Sequence, residues 1–223
     1  MDFKMSHSET VVGIDVGGIK KGFHAVVNLN GHYHHKFHST DPKELADWVL
    51  SHQPIAVAID APAMFSEDGR SRFAERELVN NGLRCFYTPT RALALKSRFY
   101  DWVFNGERLY QAFGLPLFSG EPHSIPCVME TFPHAIDSLL WANQPSGTNK
   151  ERKLAKRTRT LIEKVQYDVS QLNNIDFIDA ALCAVAADYF AKDQFIAYGC
   201  QNEGFIVLPK IVQKSSPSCH KLI

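Results

Sequence analysis

Two aspartates close apolar runs of the same kind. Val11-Val12-Gly13-Ile14-Asp15-Val16 is a run of β-formers with one carboxylate near its end, and it breaks into Gly17-Gly18. Val57-Ala58-Ile59-Asp60-Ala61-Pro62 repeats the arrangement. The apolar residues read as buried strands and the glycines as a tight turn. A carboxylate at the end of a buried strand is costly unless it is paired or bound to a cation. Two such strands lying side by side and parallel would bring Asp15 and Asp60 out at one edge of a sheet, which is the beginning of a metal site. Ile175-Asp176-Phe177-Ile178-Asp179-Ala180 adds two more carboxylates. A helix there sets Asp176 and Asp179 one turn apart on one face, about 5–6 Å between Cβ atoms. The helix dipole accounts for Asp176 in a first turn, but not for Asp179 inside an apolar stretch. The alanines that follow would let this helix approach the sheet closely and carry its carboxylates to the same edge.

The elements that position these groups follow from local pattern. The connection Gly17–Gly22 is too short for a crossover helix, so the run from Phe23 to Leu29 returns antiparallel. Asn30-Gly31 is a two-residue hairpin signal. The next strand, His32-Tyr33-His34-His35-Lys36-Phe37-His38, alternates. His32, His34, Lys36 and His38 fall on one face, expected to be the solvated face of an outer strand, with Tyr33, His35 and Phe37 on the other. Asp41-Pro42-Lys43-Glu44 starts a helix, with a capping aspartate, proline at the first position and a glutamate to close the box. Its buried stripe is Leu45, Trp48 and Val49, and it leads through Pro54 to the strand ending in Asp60. Three antiparallel strands, a helix and a fourth strand parallel to the first are the signature of a ribonuclease-H-like α/β fold rather than a Rossmann fold.

Residues 64–126 are less regular and read as a helical insertion after strand four. Arg70 to Gly82 is expected to be helical. A second helical region from Thr88-Pro89 is rich in aromatics and is expected to break at Asn105-Gly106. Such an insertion would overhang the carboxylate edge, where arginines could meet a phosphate; Arg70, Arg76 and Arg91 are the candidates for substrate contact. Cys127-Val128-Met129-Glu130 is a fifth strand ending in a carboxylate, followed by a helix from Ala135 to Ala142. Lys150 to Val165 is amphipathic, with Leu154, Leu161, Ile162 and Val165 on one side. Its many basic residues are expected to form a solvated face. Phe195–Tyr198 and Phe205–Leu208 close the chain as a hairpin.

The 24 basic and 24 acidic side chains cancel, so no global field would hold the chain on nucleic acid or a membrane. Any polyanion contact must be local. Five scattered cysteines without a CxxC or zinc spacing indicate a reduced, cytoplasmic protein. No apolar run is long enough to span a bilayer. The expected organisation is a disordered segment 1–10, one domain over 11–209 and a flexible tail over 210–223.

VGIDVGG, AIDAP, RFAEREL, ETFP and IDFIDAALCAVA, in this order, resemble the DUF 429 family of predicted nucleases with a ribonuclease-H-like fold. The resemblance runs from about Val11 to Pro209. The D-x-x-D-A of the last helix is also similar to the closing motif of RuvC-type resolvases, where it supplies metal ligands. Where those enzymes carry glutamate on the fourth strand, this chain has the shorter Asp60. The resemblance implies an acidic centre of Asp15, Asp60, Asp176 and Asp179, with Glu130 a further ligand. The implied fold is a ribonuclease-H-like mixed sheet, three antiparallel strands then parallel ones, with helices on both faces.

On this reading the activity is metal-dependent phosphodiester hydrolysis, with nucleic acid or another phosphodiester as substrate. Carboxylates suit Mg²⁺ or Mn²⁺, and two ions about 3.5–4 Å apart would activate water and stabilise the leaving oxygen. Asp15 would bridge them, Asp60 and Asp179 would each hold one, and Asp176 or Glu130 would complete a shell. Lys20 or an insertion arginine would contact the phosphate. Two other classes stand beside this one. GIDVGG followed by Lys20 resembles the phosphate hairpin of acetate- and sugar-kinase-like phosphotransferases, and a non-catalytic binding module could keep the same fold.

Overall fold

The computed structural model describes residues 9–120, 125–141 and 152–211. Residues 1–8 and 212–223, the loop Pro145-Ser146-Gly147 and Lys150 lie outside the described residues, and with them most of the expected terminal segments. The strands are β1 (Thr10–Val16), β2 (Phe23–Leu29), β3 (His32–Ser39), β4 (Ala56–Asp60), β5 (Cys127–Glu130), β6 (Phe195–Cys200) and β7 (Gly204–Pro209). They form one sheet in the order β3-β2-β1-β4-β5-β7-β6. β2 runs antiparallel to both β1 and β3, β1, β4, β5 and β7 run parallel, and β6 returns antiparallel at the far edge. The helices are α1 (Pro42–Ser51), α2 (Phe73–Asn80), α3 (Arg91–Ala94), α4 (Asp101–Phe113), α5 (Pro133–Leu140), α6 (Lys153–Thr160) and α7 (Ile175–Ala191). No helix among the described residues is long and apolar enough to cross a membrane.

Strand alternation divides the core into two layers. Val12, Ile14, Val57 and Ile59 point to one face, where they pack with Leu45 and Val49 of α1 and Leu109 and Phe113 of α4. Val11, Ala56 and Ala58 point to the other and meet Cys183 and Ala187 of α7. The second face is built of small residues, and Gly13 shows why. A Cβ at Gly13 would overlap the backbone of Ala180 and Ala184, so α7 lies on β1 with no side chain between them. The same alternation puts Asp15 and Asp60 on the α7 side, two residues beyond Gly13 and Ala58. Asn174 fixes where α7 begins, its Oδ1 accepting the Phe177 N–H at 2.9 Å.

α4 braces the opposite side of the same strand ends. It runs without interruption through Asn105-Gly106, which the sequence pattern suggested as a break. Gly106 stands where a Cβ would come within 2.5 Å of the Ala61 Cβ. Asn105 Nδ2 donates to the Gly17 carbonyl at 2.9 Å, and the Tyr110 hydroxyl donates to the Ala61 carbonyl at 2.9 Å. Asn-Gly here is a docking point for the two turns that follow the aspartate-bearing strands.

Three further expectations change. The hairpin at Asn30-Gly31 forms, but a bulge beside Val27/Asn28 leaves His34 without a partner on β2. The alternation of β3 therefore slips: Tyr33 packs on the α7 side of the sheet, while Phe37 stacks on Trp48 of α1. Asp41 caps α1 through the Lys43 N–H at 2.8 Å, but Glu44 accepts from the Ser39 hydroxyl at 2.5 Å instead of closing the box onto Asp41. The basic segment near 150–165 is α6 followed by a π-helical turn over Leu161–Val165. It turns Arg157 and Thr160 inward and leaves Leu154 42% and Ile162 49% exposed. Its inward face meets carboxylates, so charge pairing rather than apolar burial sets its rotation.

The Gly13 contact predicts an overpacked variant. Gly13→Ala should lower the unfolding free energy by about 2–3 kcal/mol or more. Gly18→Ala, where a Cβ meets nothing within 4 Å, should change it by less than about 0.5 kcal/mol. Urea unfolding of the two variants measures the difference.

Candidate metal centre

β1 and β4 pair in register, with Asp15 beside Asp60, and β1 and β2 pair with Asp15 opposite His24. Three ligand-type side chains thus form a row across neighbouring strands, spaced by about 4.7–4.9 Å of backbone. The first turns of α7 lay Asp176 and Asp179 over this row. All but His24 line one cavity of about 660 Å³ at the C-terminal ends of the parallel strands. Its other walls include Arg72, Phe86 and Trp102 from the insertion and Lys153 and Arg157 from α6. The ligand atoms offered by Asp15, His24 and Asp176 all lie within 4.8 Å of one another.

Crowding of like charge shifts these groups. Burial, and then the charges of Asp179 and Asp176, push the Asp15 carboxyl from 3.8 up to about 7, against the pull of Lys21 and Lys153. Asp60 is driven well above the carboxylate range by burial and by Asp15 and Asp179. Burial pushes His24 down to about 4, so its imidazole is neutral at physiological pH. Cations answer the two helix carboxylates. Lys21 Nζ lies 2.6 Å from Asp176 Oδ1. Asp179, 3% exposed, accepts from Arg157 and from Lys153 at 3.0 Å. Burial would lower the Lys21 ammonium, but Asp176, Asp15 and Asp179 more than offset it and hold it above its usual value.

Four of the residues expected at the site, Asp15, Asp60, Asp176 and Asp179, come together. Lys20 does not join them. The turn closes through Gly17 N–H to the Gly22 carbonyl and Gly22 N–H to the Gly18 carbonyl, which leaves Lys20 exposed and puts Lys21 on the cavity wall. Glu130 reaches the cavity but is committed elsewhere. Arg72, 1% exposed, grips it with both terminal nitrogens, at 2.7 and 2.5 Å, and the Ala63 N–H donates to it at 2.8 Å. Arg72 Nε donates to Glu75 at 2.9 Å, so this closed network ties the insertion to β5. Arg70, Arg76 and Arg91 are all exposed and none lines the cavity. Arg76 bonds the Ser71 carbonyl at 2.5 Å and Arg91 bonds Glu107 at 2.5 Å. Arg72 and Arg84 are the insertion arginines that do line it.

The basic face of α6, expected to be solvated, is directed onto acids. Lys153 and Arg157 hold Asp179, while Lys156 lies 2.7 Å from Asp137. The Thr160 hydroxyl donates to Asp137 at 2.6 Å. Arg159 and Lys164 cover the ring of Trp141. Lys21, His24, Lys153 and Arg157 are residues that sequence reasoning did not place in the site. His24 was within reach of it, because pairing β1 and β2 across their six-residue connection sets it opposite Asp15.

Two outcomes follow. Asp15 binds its proton more tightly folded than unfolded between about pH 4 and 7, so native stability falls as pH rises through that window and the cost is complete above it. Asp15→Asn should therefore melt higher than wild type at pH 8 in chelator, and the advantage should vanish near pH 4; thermal melts across pH measure it. Glu130→Gln leaves the Arg72 guanidinium buried with its main partner neutralised. It should cost about 3–5 kcal/mol in urea unfolding, far more than Arg76→Gln at the surface.

Comparison with known proteins agrees with the residue patterns. The family described as "Protein of unknown function (DUF429)" matches residues 13–202. No curated protein and no solved structure matches the chain. The matched span takes in Asp15 at the end of β1, all of β4, the insertion and α7, and the chain belongs to the DUF429 family.

Proposed function

We propose that this chain is a divalent-metal-dependent phosphodiester hydrolase of the nuclease type, on a ribonuclease-H-like fold. The observation that carries the reading is the meeting of Asp15, Asp60, Asp176 and Asp179 at one end of the parallel strands, crowded enough to push Asp15 up to about 7. The strand order β3-β2-β1-β4-β5, with a leading antiparallel meander, supports the fold assignment. Among the described residues the thiols of Cys85, Cys127, Cys183 and Cys200 are free, which supports a reducing, cytoplasmic setting.

The donor set fits a hard divalent ion, Mg²⁺ or Mn²⁺. Asp15, Asp60 and the Asp176 oxygen not held by Lys21 would hold it, and a cation relieves the repulsion among them. Such an ion, when bound, supplies a water of lowered pKa and stabilises charge on a phosphoryl oxygen. Lys153 and Arg157 would take the non-bridging oxygens of a phosphodiester, as guanidinium and ammonium groups do. Both already sit on the cavity wall, within reach of an anion, and Asp179 orients them until one arrives. Lys21 would hold Asp176 in place through their 2.6 Å ion pair.

Thermal melts with and without MgCl2 or MnCl2 test the reading, beside a cleavage screen over single- and double-stranded DNA and RNA and an activated phosphodiester. Wild type should gain several degrees with metal through binding to the native state, and Asp15→Asn should gain much less and cleave nothing. A wild-type melt indifferent to both ions would end the metal reading. A metal-dependent shift with no cleavage of any phosphodiester would end the hydrolase reading and leave a binding module.

A further inference from the structure

We infer that His24 is a metal ligand, so that the ion at Asp15 and Asp176 has a nitrogen in its shell and the site selects Mn²⁺ over Mg²⁺. This rests on the metal reading above and goes beyond it, because that reading uses oxygen donors alone. His24 is 7% exposed, and its Nδ1 is buried without a hydrogen-bond partner among the described residues. Its Nε2 lies 3.9 Å from Asp176 Oδ2, too far for a hydrogen bond. Two donors of one ion, each bonded at about 2.0–2.2 Å, sit roughly 3–4 Å apart, and the Asp15, His24 and Asp176 ligand atoms all lie within 4.8 Å of one another.

The ring is held where it is. His38 packs on it at 4.5 Å between centroids, and Phe177 meets its edge at 4.9 Å. Phe177 belongs to α7, next to Asp176, so the element that delivers the carboxylate also clamps the imidazole. Its neighbour His38 is itself anchored, with Nε2 2.8 Å from the Lys21 carbonyl. Nε2 is the nitrogen that faces Asp176, and a cation there would take its lone pair in the neutral imidazole and fix the proton on Nδ1. The sheet register makes the arrangement unavoidable: once Asp15 faces α7, the residue opposite it on β2 faces α7 too.

Nitrogen changes which ion fits. Mg²⁺ takes oxygen ligands in a near-ideal octahedron and gains little from imidazole. Mn²⁺ accepts it more readily, and later first-row ions more readily still. An all-carboxylate site would leave Mg²⁺ and Mn²⁺ closer in affinity.

The test uses the full chain with MnCl2 and MgCl2 as probes. Calorimetric titration should show wild type preferring Mn²⁺, and pulsed electron paramagnetic resonance of the Mn²⁺ form should show a directly bonded nitrogen. His24→Gln, which offers an amide oxygen instead, should lose the nitrogen coupling and reduce the Mn²⁺-to-Mg²⁺ preference about tenfold or more. Should that variant not fold, the nitrogen coupling in wild type decides alone. Mn²⁺ bound without a nitrogen coupling, or an unchanged preference in His24→Gln, overturns the inference and leaves the carboxylate site standing. If neither ion binds wild type, or if binding survives Asp15→Asn combined with Asp60→Asn, the metal reading and this inference fail together.

Discussion

The contact between Gly13 and the backbone of Ala180 and Ala184 sets the distance on which the rest of the structure depends. A helix normally rides on a sheet at the height of its side chains. Here glycine on the strand and alanines on the helix bring two backbones together, and the next inward residues along each element are acidic. Asp15 follows Gly13 by one strand repeat, and Asp179 and Asp176 precede Ala180 on α7. Close packing in the core therefore becomes close packing of carboxylates at the strand ends. The register with β4 adds Asp60, and the register with β2 adds His24.

Charge balance then separates the acids by role. Glu130 and Glu75 are matched by Arg72 in a closed and buried network. Asp137 is matched by Lys156 and Thr160, and Asp179 by Arg157 and Lys153. Asp176 gives one oxygen to Lys21 and turns the other toward His24. Asp15 and Asp60 feel cations only at a distance, and burial together with neighbouring carboxylates drives both upward in pKa; burial raises Glu130 too, but against the direct pull of Arg72. Under the proposed function, that residual imbalance at the strand ends is where a divalent ion would act. Under the same proposal, the cations on the cavity wall would serve a phosphate rather than further neutralise the pair.

Much of this was legible in the chain. Apolar runs ending in aspartate, a connection too short to cross over, and Asn30-Gly31 identify β1 to β4 and their directions, because each is a local signal with one geometric solution. The alanine-rich run after Asp179 foretells the close approach of α7. What escaped needed tertiary information. Asn105-Gly106 reads locally as a break, but the absent Cβ is used against Ala61 and the amide against Gly17. The bulge at His34 shifts β3 by a residue and exchanges its faces. Glu130 reads as a site residue, and only its burial against Arg72 shows it committed to a structural pairing. Lys20 and Lys21 differ solely in the way a tight turn directs them.

The ends of β1 and β4 are the proposed seat of a divalent cation. Crystals grown with MnCl2, measured at the manganese absorption edge, test it most directly. An anomalous peak about 2.0–2.3 Å from carboxylate oxygens of Asp15 and Asp60 is the predicted result. A peak confined to surface carboxylates, with Lys21 or Lys153 occupying the space between those two aspartates, would contradict it.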